Sequence, residues 1–330
     1  MTLSEALAAR RANNLDLLRL IAAMSVVVSH AWPLALGIGA AEPLEAATGR
    51  SLGGWAVVLF FFLSGFLIVQ SAERRNTFCF WTARARRILP GLTVALIVSL
   101  ALAVASGATP DAQEAARYVL RGLSLAGVEH KITGAYAANP YPLAVNGPLW
   151  SLQHEVAAYV ICFAAVRLRV LRTAIGAEAL LATALGMALF APLLPGKLAT
   201  FAPLFLAYAL GMAAWRFRTV IALHPALLML PILASAIGFG TALGDVMATT
   251  TFCYAVLMAG FHAPVVQLAD DISYGIYIYG WPVAQTLVTQ LPGVTPFELS
   301  VLSIVCTLPV AWASWSLVER PSLPLRVKVA

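Results

Sequence analysis

Ten apolar runs, each close to the length of a bilayer crossing, occupy most of this chain, at residues 15–36, 53–70, 88–106, 148–167, 173–194, 198–216, 222–241, 245–261, 271–290 and 298–318. A helix crosses the hydrocarbon core with about 20 apolar residues and satisfies its own backbone as it does so. The expected fold is therefore an all-α integral membrane protein, a bundle of about ten transmembrane helices. Hydrophobic residues make up 61% of the 330 and charged residues 11%, where soluble domains carry about 25% charge. A globular cytosolic enzyme, a disordered chain and a secreted disulfide scaffold are excluded on that ground. The first run carries Asp16 and Arg19 and has no small-residue cleavage pattern behind a short core, so it reads as a retained helix rather than a signal peptide. Residues 1–330 read as one membrane domain.

The net charge of +6 raises the question of nucleic acid, but the basic residues lie beside the apolar runs instead of forming a patch, so no nucleic-acid partner is expected. Beside membrane spans such residues set topology. With ten spans both termini share a side. Of the 21 Lys and Arg, fifteen lie on that side, including Arg10, Arg11, Arg84, Arg86, Arg87, Arg326 and Lys328. Five lie opposite, and Arg19 is inside a run. The bias puts both termini in the cytoplasm.

One loop, about 107–147, is long and falls on the outer side. Thr109-Pro110 reads as a helix cap followed by proline in the first turn. After it, Ala112, Ala115, Val119 and Leu123 alternate with Asp111, Glu114, Arg117 and Arg121 at amphipathic helical spacing. The stretch that follows holds His130, Lys131, Tyr136, Asn139 and Tyr141, and it reads equally as a surface cover and as a substrate-binding loop. The four cysteines are dispersed, which suggests neither zinc nor a disulfide framework. His154-Glu155 lacks the second histidine of a zincin, since that position is Ala158. No metal is expected.

Ionisable residues at membrane depth are functional candidates by default. In the first run Arg19 and His30 are eleven residues apart, which is about 16.5 Å of rise and three turns plus about 20°, so they share one stripe at different depths. Asp16 is one turn from Arg19 and within pairing reach. In the fourth run, Gly147-Pro-Leu-Trp150-Ser151-Leu-Gln153-His154-Glu155, the carboxylate lies about 10 Å in from the outer side, close to the depth of His30. A carboxylate beside an imidazole makes it a better general base. In the third run Arg84 and Arg87 share a helix face, and their forks suit phosphate. Each has a plainer reading: a snorkelling Arg19, a His30 or Glu155 bonded to some other polar group, and a basic cluster set only by topology.

These motifs, taken in order, resemble the membrane O-acyltransferases of acyltransferase family 3, which include acetylases of O-antigen, exopolysaccharide and nodulation factors. Arg19-x10-His30 resembles the family's first-helix signature, and Phe60-Phe-Phe-Leu-Ser64-Gly65-Phe-Leu-Ile68 its second helix. Arg84 to Pro90, Trp150-Ser-Leu-x-x-Glu155, Ser273-Tyr-x-x-Tyr277 and Glu319-Arg320-Pro321 resemble the later motifs. The resemblance implies transfer of an acyl group, acetyl by default, from acyl-coenzyme A to a hydroxyl of a glycan or lipid-linked saccharide at the bacterial cytoplasmic (inner) membrane. It implies His30 as catalytic base, Glu155 as its partner, Arg84 and Arg87 on the nucleotide phosphates, and Arg19 along the path between. Many members carry a histidine in the ninth-span motif where this chain has Gly280, so no second-histidine role is expected. The chain after Pro321 is short, so transfer is expected to finish within the membrane domain or with a partner. From another class, a transporter or flippase for lipid-linked sugars using Asp16, Arg19, His30 and Glu155 is the rival. Paired broken helices and inverted repeats, which mark such folds, are missing from the sequence. Nothing in the sequence sets the oligomeric state.

Overall fold

A computed structural model describes residues 1–9, 13–125, 127 and 131–323. Arg10, Arg11, His130, Arg326 and Lys328 lie outside the described residues. The fold is all-helical: among the described residues the only β pairings are two isolated bridges.

The long helices are α1 (Leu15–Leu36), α2 (Leu52–Arg74), α3 (Thr77–Ala105), α4 (Ala112–Ser124), α5 (Trp150–Arg167), α6 (Ala174–Leu189), α7 (Lys197–Arg216), α8 (Met229–Ile237), α9 (Ala242–Phe261), α10 (Ser273–Gln290) and α11 (Pro296–Ser314). Among the described residues, seven helical stretches are long and apolar enough to cross a membrane: α1, α2, α3, α5 with its preceding turn, α7, α9, and α11 with its continuation to Ser322. They coincide with seven of the ten predicted runs. The others correspond to α6, to a shorter apolar stretch over 225–237, and to α10. α10 is less apolar for a physical reason. Twelve of its residues are buried, among them Ser273, Tyr277, Tyr279 and Gln285, so it meets protein rather than lipid. By contrast Ile97, Val104, Val160, Val301, Val305 and Trp312 are exposed on the isolated chain. Apolar side chains of that kind are at home against lipid tails.

Side chains set where helices begin. Ser51, Asn76, Thr173 and Thr241 each accept a backbone N–H three residues on, at 2.8–3.0 Å. Asn76 starts α3 eleven residues before the predicted run, so Arg84 and Arg87 sit well inside a 29-residue helix about 43 Å long. The cap of α4 also differs from the prediction. Asp111, not Thr109, accepts the N–H of Glu114 at 2.7 Å, while the N–H of Thr109 is directed to the carbonyl of Thr133. Aspartate is the stronger cap, and Pro110 precedes it instead of opening the helix.

The tightest crossing joins α2 to α7. A Cβ placed on Gly65 would lie 2.0 Å from the carbonyl oxygen of Tyr208, and one on Gly211 would lie 2.1 Å from that of Phe62. Small residues let membrane helices meet backbone to backbone. Gly65→Leu is therefore expected to destabilise the protein by at least about 2 kcal/mol, read as a lowered midpoint of thermal unfolding in detergent. A midpoint equal to the parent's would show that the helices part freely.

The long loop after α3 is not a loose cover. Asn139 Nδ2 donates to the Gln285 carbonyl and Oε1 at 2.9 and 2.8 Å, and Asn146 Nδ2 donates to Ser99 Oγ and the Ile278 carbonyl at 3.1 and 2.9 Å. Gln285 and Trp281 donate back to carbonyls of the loop. Burial raises the phenol pKa of Tyr118 and of Tyr136, so both stay neutral in the packed loop. The segment 131–147 is thus fastened into the end of the bundle, over α10.

Candidate active site

A cavity of about 1130 Å³ opens among α1, α2, α3, α5, α10 and the end of α11. Arg84 and Arg87, one turn apart, both line it, and Arg86 between them faces outward, as helical spacing requires. On α5, Ser151, Glu155 and Tyr159 recur every four residues and form a polar stripe down one wall. α1 contributes Asp16 and Arg19, α2 contributes Phe60, Phe61 and Ser64, and α10 contributes Tyr274 and Tyr277.

The arginines differ sharply in how they are held. Arg19 Nη1 and Arg87 Nη2 both donate to the same oxygen, Asp271 Oδ2, at 3.0 and 2.6 Å. Ser273 Oγ donates to the other carboxylate oxygen at 2.6 Å. Arg87 also faces Glu319 at 3.8 Å, and Glu319 is only 2% exposed and accepts from Ser314. Trp315 and Glu319 are the two buried ends of a π-helical turn that continues α11. The rings of Tyr274 and Trp315 flank the Arg87 guanidinium at 5.8 and 5.9 Å. Asp16 is a weaker partner of Arg19 than the sequence suggests, 3.9 Å away and largely exposed. Arg84, in contrast, meets no carboxylate among the described residues, and its Nε is buried without a hydrogen-bond partner.

Of the five residues singled out in the sequence, the cavity unites four: Arg19, Arg84, Arg87 and Glu155. Glu155 accepts hydrogen bonds from Ser64 Oγ at 2.9 Å and from the Tyr159 hydroxyl. It makes no hydrogen bond or ion pair with His30. That ring is half-buried and meets the edge of Trp281, with centroids 5.0 Å apart, and it makes no hydrogen bond among the described residues. Trp281 is itself fixed, by its Nε1–H to the Ala144 carbonyl at 2.9 Å and by Tyr141 on its other side. His30 is outside the cavity wall but close to one end of it. Its neighbour Ser29 packs on Gly53, one turn along α2 from Val57, and Trp281 is one turn along α10 from Tyr277. Val57 and Tyr277 both line the cavity, and the Tyr277 ring packs on Phe60.

Other polar groups of the Trp150–Glu155 segment divide between cavity and scaffold. Ser151 Oγ and the Tyr277 hydroxyl are 2.6 Å apart at the cavity wall, and Tyr277 donates to the Pro148 carbonyl. Gln153 turns away to accept from Lys197, and His154 bridges the Trp150 carbonyl and Thr200. Gly280, the position of the second histidine in many members of the resembled family, packs so closely on α1 that a Cβ there would lie 2.5 Å from Val27 Cγ2. An imidazole at that point requires Val27 to move. Among the described residues no group of three or more His, Cys, Asp or Glu has the clustering of a metal site.

Asp271 is a cavity residue that none of the sequence motifs singles out. It lay at the edge of a predicted span, after a loop with no Lys or Arg to assign it a role. The usable signal was its position two residues before Ser273-Tyr274, in a chain with an arginine inside its first span and no carboxylate beyond Asp16 to balance it.

Comparison with known proteins gives a family and two relatives of nearly full length. A family model described as an acyltransferase domain, acyltransferase family 3, matches residues 12–316. The O-acetyl transferase of Shigella phage Sf6 is 29% identical over 94% of this chain and 96% of its own length. Nodulation protein 10 of Rhizobium leguminosarum bv. viciae is 29% identical over 96% of this chain and 95% of its own length. No solved structure matches.

Proposed function

This chain belongs to the acyltransferase family 3 of membrane proteins, and from that premise we propose that it moves an acyl group, acetyl by default, from cytoplasmic acyl-coenzyme A to a hydroxyl of a glycan or lipid-linked saccharide. The observation that carries the reading is Arg84, a cation on the wall of a large cavity with no carboxylate in ion-pairing distance among the described residues. A buried charge is expensive unless paired, and an anionic donor supplies the missing partner. The phage relative's name supports O-acetyl transfer, and that of the rhizobial relative is compatible with a saccharide acceptor.

In this proposal the chain is one domain of ten spans in the bacterial cytoplasmic membrane, with both termini inside. The donor's phosphates engage Arg84 first, then Arg87 and Arg19. The acyl-bearing arm lies along the stripe of Glu155 and Ser151, and the thioester passes Phe60 and Tyr277 to reach His30. His30 takes the proton of the acceptor hydroxyl as its oxygen attacks the thioester carbon. The new C–O bond forms, the C–S bond breaks, and the imidazolium returns its proton to the departing thiolate. Glu155 bonds Ser64 and Tyr159 and not His30, so it supports the base through the field in the cavity, not by a direct bond. Ser151 is the side chain best placed to donate to the developing oxyanion once it releases Tyr277.

Two measurements test the proposal. Purified protein is expected to bind coenzyme A, and surface glycans from a strain lacking the gene are expected to be lighter than the parent's by the mass of the acyl group. A protein that ignores coenzyme A, with glycan masses unchanged, points to a transporter instead.

A further inference from the structure

We propose that Asp271 is a resident counter-ion which holds Arg19 and Arg87 until a phosphate group of the donor competes for them, so that this carboxylate sets how tightly the donor is held and how quickly the product leaves. The identity of the ligand rests on the acyl-coenzyme A reading above; the competition itself rests on geometry.

One oxygen of Asp271 serves two guanidinium groups from two different helices, at 3.0 and 2.6 Å. A phosphate oxygen makes the same bridge, and arginine binds carboxylate and phosphate with the same donors. Accessibility then separates the two carboxylates of Arg87. The side chains of Arg19, Arg87 and Asp271 are 23%, 19% and 20% exposed and all three line the cavity, whereas Glu319 is 2% exposed and anchored by Ser314. A ligand in the cavity can therefore take the place of Asp271 but not of Glu319, which keeps Arg87 aimed throughout. Asp271 also stands in the irregular segment between α9 and α10, two residues before the first turn of α10. Its side chain can swing off the arginines without unwinding a helix. Arg84, one turn from Arg87 on α3, gives the incoming phosphate a first contact from which to make the exchange. Charge gives the same sense. The described cavity wall carries five basic side chains, Arg19, Arg75, Arg84, Arg87 and Arg320, against four acidic ones, Asp16, Glu155, Asp270 and Asp271. Removing one carboxylate from so nearly balanced a wall favours an anion.

If Asp271 merely stitched α1 and α3 to α10, its removal would lower stability and would not raise affinity. The test is Asp271→Asn in the full-length protein in detergent, with coenzyme A binding and steady-state transfer both measured. Asp271→Asn is expected to bind coenzyme A about tenfold tighter, the size of one charge-assisted hydrogen bond gained. Both KM for the donor and kcat are expected to fall, because the product is released more slowly, while Asp271→Glu stays near the parent. Equal or weaker binding by Asp271→Asn overturns the proposal. The same titration with inorganic pyrophosphate separates this failure from that of the donor reading. If the parent protein ignores coenzyme A yet Asp271→Asn tightens pyrophosphate, the donor is wrong and the counter-ion stands; if pyrophosphate binding is unmoved, the counter-ion falls. Should the variant not fold, hydrogen exchange on the parent decides. Coenzyme A, or pyrophosphate if that alone binds, is expected to speed exchange in the segment 263–272, and slower or unchanged exchange overturns the idea.

Discussion

His30→Ala is expected to abolish acyl transfer, lowering kcat by at least about a hundredfold, which is the lower range for loss of a general base. Stability and coenzyme A affinity are expected to change little. His30 makes no hydrogen bond among the described residues and contacts the edge of a Trp281 ring that is fixed from elsewhere. Truncation therefore leaves no buried polar group without its partner, and the destabilisation stays within about 2 kcal/mol. The cavity, whose lining does not include His30, keeps its shape. Transfer of labelled acetyl from acetyl-coenzyme A, measured beside coenzyme A binding and thermal unfolding, separates these effects. Normal transfer by the variant would remove His30 from the reaction. Exchange of label between acyl-coenzyme A and free coenzyme A, with no acceptor present, distinguishes direct attack from an acyl-histidine intermediate, because only the latter forms without acceptor.

The main helices were legible because a bilayer demands long apolar runs, and length is easily read. What the runs do not reveal is where a helix continues beyond the apolar part. α3 begins at Thr77 because Asn76 caps it, and the polar turns between 77 and 87 look like loop when hydropathy alone is the guide. α10 was readable from its Ser273-Tyr-Gly-Ile-Tyr277 pattern, although it is too polar to qualify by composition. The outer loop was ambiguous for another reason. The partners of Asn139 and Asn146 are Gln285, Ser99 and Ile278, dozens to well over a hundred positions away, and no local pattern records such a pairing.

Within the site, helical periodicity was a good guide to which residues share a face and a poor guide to which helices face each other. Arg84 and Arg87 line one cavity, as their spacing of three requires. His30 lies near the C-terminal end of α1 and Glu155 near the N-terminal end of α5, yet equal depth fixes only a height. Rotation about each axis is set by packing, and packing turns Glu155 toward Ser64 and Tyr159 and His30 toward Trp281. Asp271 escaped notice because its meaning comes from Arg19 and Arg87, which are 252 and 184 positions away.

The second large effect is expected for Arg84→Ala, and the contrast with Arg87→Ala makes it informative. Arg87 balances Asp271 and faces Glu319, which is 2% exposed. Removing it strands buried negative charge and is expected to destabilise the fold by about 3–5 kcal/mol, so lost activity in that variant says little about the donor. Arg84 leaves no carboxylate behind, and its own Nε lacks a partner, so Arg84→Ala is expected to fold at least as well as the parent. Its coenzyme A affinity is expected to fall about tenfold to a hundredfold, the value of one lost charge-assisted contact to phosphate. KM for the donor rises accordingly while kcat at saturating donor changes little, since an interaction made equally before and during the reaction affects binding alone. Calorimetric titration with coenzyme A, run beside thermal unfolding, checks both halves of the expectation. Unchanged affinity in a stable variant would strip the cavity of its phosphate site, and with it the physical reason for reading the unpaired arginine as a donor clamp.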